Sequence, residues 1–232
     1  MSELDEAKSM AAREALKYID GANIIGVGTG STVEKFIELL GGMASDYRDR
    51  LFVASSLDTM LKLKSKGFKV LYPGVIDSID VYIDGADEVD PELNMIKGGG
   101  AALTLEKILT YYSRERIFIV DYTKLVDRLG TNHPVPIDVL PWAVSMVYKY
   151  LKEKGYNPVV RSSRKGKYGP VVSDVGGVII DLKPPLFNPV ELEKELKMLP
   201  GVIETGLFIG LADRVIVGWS NRVKVLTRSK TG

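Results

Sequence analysis

The sequence predicts an α/β protein: a parallel sheet with helices on both faces, interrupted late in the chain by a smaller α+β part. Three observations predict it. From Leu4 to Val120, short apolar strands alternate with segments of helical period. After Lys124 the order of elements changes. From Arg214 apolar strands return and can rejoin the first sheet. With 232 residues, the chain can build one large domain or two modest ones around a sizeable core.

Leu4, Ala7, Ala11, Ala15, Tyr18 and Ile19 recur at helical spacing, and Ser2 and Asp5 have the spacing of a capping box. Ile24 to Val27 reads as a strand. Val33, Phe36, Ile37 and Leu40 form one face of the next helix. Leu51 to Ala54 is a second strand, and Leu57, Leu61 and Lys64 line the following helix. Val81 to Ile83 is a third strand, Ala101 to Tyr112 a helix, and Arg116 to Val120 a fourth strand. Such alternation argues for parallel pairing, a Rossmann-like large domain.

Pro134 to Asp138 then predicts a short strand. A helix carrying Trp142, Val144, Val147, Tyr148 and Leu151 follows and ends at Gly155. Pro158 to Arg161 can pair with Val171 to Val175 across the polar loop Ser162 to Gly169. Val178 to Leu182 extends the second of these strands. Asn188-Pro189-x-Glu191 is a helix start, with Asn capping, Pro in the first turn and Glu third. Gly201 to Thr205 closes the series. The order β-α-β-β-α-β is ferredoxin-like. The expected small domain is an insertion over residues 127–205, and residues 1–126 and 206–232 form the large domain. Arg214 to Val217 and Val223 to Leu226, with a turn at Ser220-Asn221, complete it.

Composition narrows the chemistry. Lys plus Arg total 31 and Asp plus Glu 30, so the net charge of +1 argues against a broadly cationic nucleic-acid binder. Cysteine is absent, which excludes disulfides, thiolate catalysis and Cys-ligated metal sites. A single histidine, His133, excludes His-cluster metal sites, and its place before Pro134 reads as structural. Acid–base work falls to carboxylates and lysines. The charged N-terminus is not a signal peptide, and no apolar run reaches a membrane span, so a cytoplasmic protein is expected. The absence of Gln suggests a hot habitat. Trp142 and Trp219 read as packing residues, and the basic run Arg161, Arg164, Lys165 and Lys167 as a solvated hairpin tip.

Four stretches can carry chemistry. Gly28-Thr29-Gly30-Ser31-Thr32 lies between a strand and a helix. Its amides and hydroxyls suit a phosphate, or else it is a tight turn with ordinary caps. The dinucleotide fingerprint fails there, and no Walker lysine follows. Asp84-Gly85-Ala86-Asp87-Glu88-Val89-Asp90 leaves the end of a buried strand, where α/β sheets bind ligands. The alternatives are a solvated acidic loop or a magnesium site. Lys97-Gly98-Gly99-Gly100-Ala101-Ala102 resembles a site for a developing oxyanion. Glu106, farther along the helix, is either a base facing those glycines or an exposed glutamate in a helix ion pair. Lys124, after a strand end, either reaches substrate phosphate or lies on the surface.

Together these stretches resemble the ribose-5-phosphate isomerases of the A type. The resemblance rests on GTGST at 28–32, SS at 55–56, DGADEVD at 84–90, KGGGAAL at 97–103 and Glu106-Lys107. DYTK at 121–124, GVIETGLF at 201–208 and the closing strands extend it over essentially the whole chain. It implies interconversion of ribose 5-phosphate and ribulose 5-phosphate without a metal or organic cofactor. It implies Glu106 as general base, and Asp84 and Asp87 as the acids that handle hydroxyls and the ring oxygen. Lys97 and Gly98, Gly99 and Gly100 would bind near the reacting oxygens. Thr29, Gly30, Ser31, Thr32, Gly85, Ala86 and Lys124 complete the expected substrate-binding set. The expected partner is a small sugar phosphate, with no nucleic acid or membrane, in a homodimer or homotetramer. Two other readings are a metal-dependent phosphatase or isomerase built on Asp84, Asp87 and Asp90, and a non-catalytic sugar-phosphate sensor.

Overall fold

The structure, a computed structural model, describes residues 2–163 and 168–228. Arg164, Lys165 and Lys167 of the basic run lie outside the described residues. In chain order the elements begin with α1 (Glu3–Ala15), β1 (Ile24–Val27), α2 (Ser31–Gly41), β2 (Leu51–Ala54), α3 (Leu57–Ser65) and β3 (Lys69–Leu71). β4 (Ile79–Asp84), β5 (Glu88–Val89), β6 (Met95–Ile96), α4 (Leu103–Tyr111) and β7 (Ser113–Asp121) follow. Then come β8 (Val135–Val139), α5 (Val144–Glu153), β9 (Val159–Val160), β10 (Val178–Leu182) and α6 (Pro189–Lys197). The chain closes with β11 (Val202–Thr205), β12 (Leu207–Phe208), β13 (Arg214–Gly218) and β14 (Val223–Thr227).

The chain divides into two compact units, one of residues 1–86, 106–125 and 211–232, the other of residues 87–105 and 126–210. The expected insertion ran only from residue 127 to 205, and residues 206–210, which carry β12, also belong to the second unit. Residues 87–105 belong with it because β6 pairs with β12, and Val126 N–H donates to the Val89 carbonyl. Neither two-residue strand is long enough to show a period in the sequence.

The first unit holds a seven-stranded sheet in the order β14-β13-β7-β4-β1-β2-β3, parallel throughout except for the β13–β14 hairpin. The chain winds outward from β1 to β3 on one side and from β4 through β7 to β13 on the other. The order therefore reverses between β1 and β4, where crossovers leave a crevice beyond the strands' carboxyl ends. β1 and β4 are buried along almost their whole length, as a doubly covered parallel sheet requires. One core joins Ala11, Ala12 and Ala15 of α1 to Phe36 and Leu40 of α2 and to Ile25, Ile83 and Ile119 of the sheet. Full burial of a side chain such as Phe36 contributes about 1.5–3 kcal/mol. Small alanines on α1 let that helix lie close to the strands. Its capping box is present, Ser2 Oγ accepting from Asp5 N at 3.1 Å. In α3 the buried positions are Thr59 and Leu63, whereas Leu57 and Leu61 face solvent.

The second unit contains an antiparallel sheet in the order β11-β8-β10-β9, with α5 and α6 as its two crossovers. This is the ferredoxin-like arrangement. Val147 and Leu151 of α5 and Leu192 and Leu196 of α6 fill its core against β8 and β10. Asn188 caps α6, accepting from Val190 N and Glu191 N. Val171 to Val175 is not a strand, although the expected pairing begins: Ser162 bridges antiparallel to Pro170 and Val171 N–H donates to the Arg161 carbonyl. Val172 bridges antiparallel to Val178, so the chain doubles back at Gly176 instead of continuing, and β9 pairs with β10. Trp142 is also unlike its expectation. It is 91% exposed, one residue before buried Ala143 and so off the face that meets the core. Trp219, by contrast, stacks on Tyr122 with nearly parallel rings. No helix among the described residues is long and apolar enough to cross a membrane.

Candidate active site

In the first unit the chemistry gathers at the topological switch. β4 ends at Asp84, whose side chain is fully buried. Oδ1 accepts from Thr29 N at 3.1 Å and from Gly85 N at 2.7 Å, and Tyr82 OH donates to Oδ2 at 2.7 Å. Gly28 is required because the carboxylate lies against it. A Cβ at residue 28 would stand 1.9 Å from Asp84 Oδ1. Burial pushes the Tyr82 hydroxyl's pKa well up, and the nearby Asp84 and Glu106 carboxylates push it further. Tyr82 therefore stays protonated and donates.

Thr29 Oγ1 donates to Ser56 Oγ at 2.7 Å and lies 2.9 Å from Ser55 Oγ. Thr59 Oγ1, bonded to the Gly28 carbonyl at 2.8 Å, ties this hydroxyl group to the turn. α2 starts with Gly30 as its cap residue, at φ +142, and no side chain caps it. The alternative of ordinary Ser or Thr caps is thus set aside. Gly30 and Ser31 are exposed and Thr32 is buried, so the first-turn amides suit an anion from solvent. Glu106 is only 3% exposed in the first half of α4, so the alternative of a solvated helix glutamate also falls. Lys124 is half-buried in the single turn after β7, where Asp121 accepts from Thr123 N.

In the second unit Asp87 is half-buried, and its Oδ2 accepts from Gly99 N at 2.8 Å. Lys97 is 2% exposed, with Nζ 5.4 Å from the centre of the Phe208 ring. Gly98 takes φ +103, and a Cβ there would meet Leu103 and Pro136 within 3 Å. Gly99 and Gly100 are exposed. Glu88 and Asp90 are structural. Glu88 accepts from the amides of Gly130, Asn132 and His133, while Asp90 Oδ1 accepts from Glu92 N and Asn94 N. Asp90 is thereby used up in its own loop. Among the described residues no three His, Cys, Asp or Glu side chains group as metal ligands.

The motif DGAD is thus shared, with Asp84, Gly85 and Ala86 in one unit and Asp87 in the other. Spacing alone does not mark Tyr82 or the Ser55, Ser56 and Thr59 hydroxyls as site positions, although SS at 55–56 belongs to the resemblance. Tyr82 alternates with Asp84 along β4, which was the available signal.

Residues 51–222 match the family described as ribose 5-phosphate isomerase A (phosphoriboisomerase A). The ribose-5-phosphate isomerase A of Pyrococcus abyssi is 44% identical over 228 residues, spanning 97% of this chain and 99% of that one. That of Aeropyrum pernix is 48% identical over 221 residues, 94% of this chain and 92% of that one. A solved D-ribose-5-phosphate isomerase in complex with phospho-erythronic acid is 44% identical, with a TM-score of 0.93, covering 98% of this chain and all of that one. The ribose 5-phosphate isomerase A of Methanocaldococcus jannaschii superposes at 0.90 with 36% identity over 96% of this chain and 99% of that one. The motifs, the switch-point architecture and these similarities over nearly the full length agree, and the chain belongs to the ribose 5-phosphate isomerase A family.

Proposed function

We propose that Glu106 is the general base with which this chain carries out its family's reaction, the interconversion of ribose 5-phosphate and ribulose 5-phosphate in the non-oxidative pentose phosphate pathway. One proton moves between adjacent carbons through an enediolate. The base takes it from C2 and returns it at C1. The observation that carries this reading is a carboxylate buried to 3% exposure in the unit where Asp84 ends its strand at the switch point.

Asp84 and Asp87 manage the sugar hydroxyls and ring opening. Lys97 and the amides of Gly98, Gly99 and Gly100 take the negative charge that grows on oxygen. Thr29, Gly30, Ser31 and Thr32 anchor the phosphate, with Gly85 and Ala86 alongside and Lys124 adding positive charge. Remote binding of the phosphate holds the sugar in its reacting geometry. The phospho-erythronic acid bound by the solved relative carries both a phosphate and a carboxylate, the two charges this scheme accommodates. The scheme uses no metal and no organic cofactor. A dimer or tetramer in the cytoplasm belongs to the same reading. Exposed Tyr72, Val75, Tyr111 and Tyr112 support the assembly. The absence of Gln supports a hot habitat.

The test is ribulose 5-phosphate formation by the purified protein in EDTA, with Glu106→Gln beside the wild type. The variant's kcat is expected to fall at least about a hundredfold. Activity within about threefold of wild type would remove Glu106 from this role.

A further inference from the structure

The glycine stretch does not hold its shape alone. Arg161, outside every motif of the site, reaches it with one guanidinium nitrogen. Nη1 donates to the Gly98 carbonyl at 2.8 Å and to the Gly99 carbonyl at 3.0 Å. The other edge of the guanidinium is clamped, with Nε 2.8 Å from Asp181 Oδ2 and Nη2 2.5 Å from Oδ1. Both side chains are more than four-fifths buried. The base of the clamp is rigid. Arg161 N–H donates to the Ile179 carbonyl, its own carbonyl accepts from Val171 N, and Asp181 lies on β10 opposite Pro136 of β8. A fork-to-fork pair of this kind fixes direction as well as distance.

That direction matters for the amides. Across a trans peptide the N–H points opposite to the C=O, and no peptide bond among the described residues is cis. With the Gly98 and Gly99 carbonyls both turned onto Arg161, the N–H groups of Gly99 and Gly100 both point away from it. Gly99 N–H is found donating to Asp87 Oδ2. Successive amides turned to one side form an anion-binding concavity. The stretch is also strained. Ala101 sits at φ +64, closing a turn onto the Gly98 carbonyl that Arg161 also holds. A non-glycine residue there persists only where its surroundings over-determine it.

The geometry points to Arg161 as a positioning residue for the isomerase reaction: it holds the Gly98 and Gly99 carbonyls so that the Gly99 amide fixes Asp87 and the Gly100 amide faces the oxygens on which enediolate charge develops. This rests on the proposed role of the glycine stretch. Arg161 itself touches no reacting atom.

The test measures kcat and KM for Arg161→Met, Arg161→Lys and Asp181→Asn beside wild type and Glu106→Gln, together with inhibition by phospho-erythronic acid. Misplaced amides cost the charged state more than the ground state. Arg161→Met is therefore expected to lower kcat about thirtyfold, less than the roughly hundredfold or more for a donor removed outright, with KM changed less than about threefold. Its affinity for phospho-erythronic acid should weaken in step with kcat. Lysine can meet one carbonyl but not the fork, so Arg161→Lys should fall between Met and wild type. Asp181→Asn, which keeps the cation but loosens it, should do the same. A kcat within about twofold of wild type for Arg161→Met overturns the inference, as does a loss confined to KM or unchanged inhibition. If Arg161→Met does not fold, Arg161→Lys and Asp181→Asn decide, and wild-type kcat in both overturns it. An active Glu106→Gln would instead refute the assigned base, leaving the Arg161 result to be read separately.

Discussion

Asp84 and Asp87 stand three residues apart in one motif, yet the fold holds them by different means. Asp84 ends a central strand, is fully buried, and accepts from Tyr82, Thr29 and Gly85 around the first unit's switch point. Asp87 is half-buried in the second unit, against a glycine stretch whose shape comes from Arg161. The first carboxylate is positioned by regular secondary structure and is hard to move. The second is positioned by a loop and can yield. Rigid scaffolds and loops usually divide labour in this way.

The sharpest way to break this contrast is to add one methyl beside each carboxylate. Gly28→Ala puts a Cβ 1.9 Å from Asp84 Cγ and Oδ1, in a packed environment with no room to retreat. We expect kcat/KM to fall at least about a hundredfold and stability by about 1–3 kcal/mol, read by steady-state kinetics and urea unfolding. Gly99→Ala places its Cβ 2.8 Å from Asp87 Oδ1, and that carboxylate can swing toward solvent. We expect about a tenfold loss of kcat with an almost unchanged urea midpoint. Equal destabilisation by the two alanines would show that Asp87 is as firmly held as Asp84.

Tyr82→Phe sharpens the account of the first carboxylate. It deletes one donor to Asp84 while leaving the ring in its core. A stability loss of about 1 kcal/mol and a several-fold lower kcat are expected. Wild-type values in both assays would mean that Asp84 is held without the Tyr82 hydroxyl.

Asp138 provides the smallest effect. It is buried on β8, and its Oδ2 accepts from Thr104 Oγ1 at 2.7 Å. Burial raises its pKa above the usual 3.8, opposed by hydrogen bonds from Thr104 and Ser173. The folded protein therefore binds more protons than the unfolded chain above that value, and stability declines as pH rises through the raised pKa. Asp138→Asn removes this proton while keeping an acceptor for Thr104. Its Tm should vary less with pH between about 4 and 7 and be no lower than wild type at neutral pH, with kcat unchanged. A Tm profile parallel to wild type would show that Asp138 is not the source of the decline on raising the pH.

Much of the first unit was legible because its signals are local. Ile24 to Val27 and Leu51 to Ala54 are continuous apolar runs, and their expected bounds coincide with β1 and β2. The glycine-to-helix turn and the acids beyond β4 follow from adjacent residues. Less was legible where pairing joins short or distant pieces. β5, β6 and β12 have two residues each, and α3 turns Leu57 and Leu61 outward because Thr59 and Leu63 meet the core instead. In sequence Arg161 reads as part of a solvated basic hairpin, since its neighbours are polar and its partners are 20 and more residues away.

By itself, then, the amino-acid order determined the layer architecture, the family resemblance and the residue types available for proton transfer, because periodicity and motif spacing act over a few neighbouring residues. The tertiary structure decided which carboxylate is locked, which glycines a side chain would displace, and that an arginine 62 residues from Gly99 turns its carbonyl aside. Those facts depend on packing and hydrogen-bond direction, and both exist only once distant segments have been brought into register.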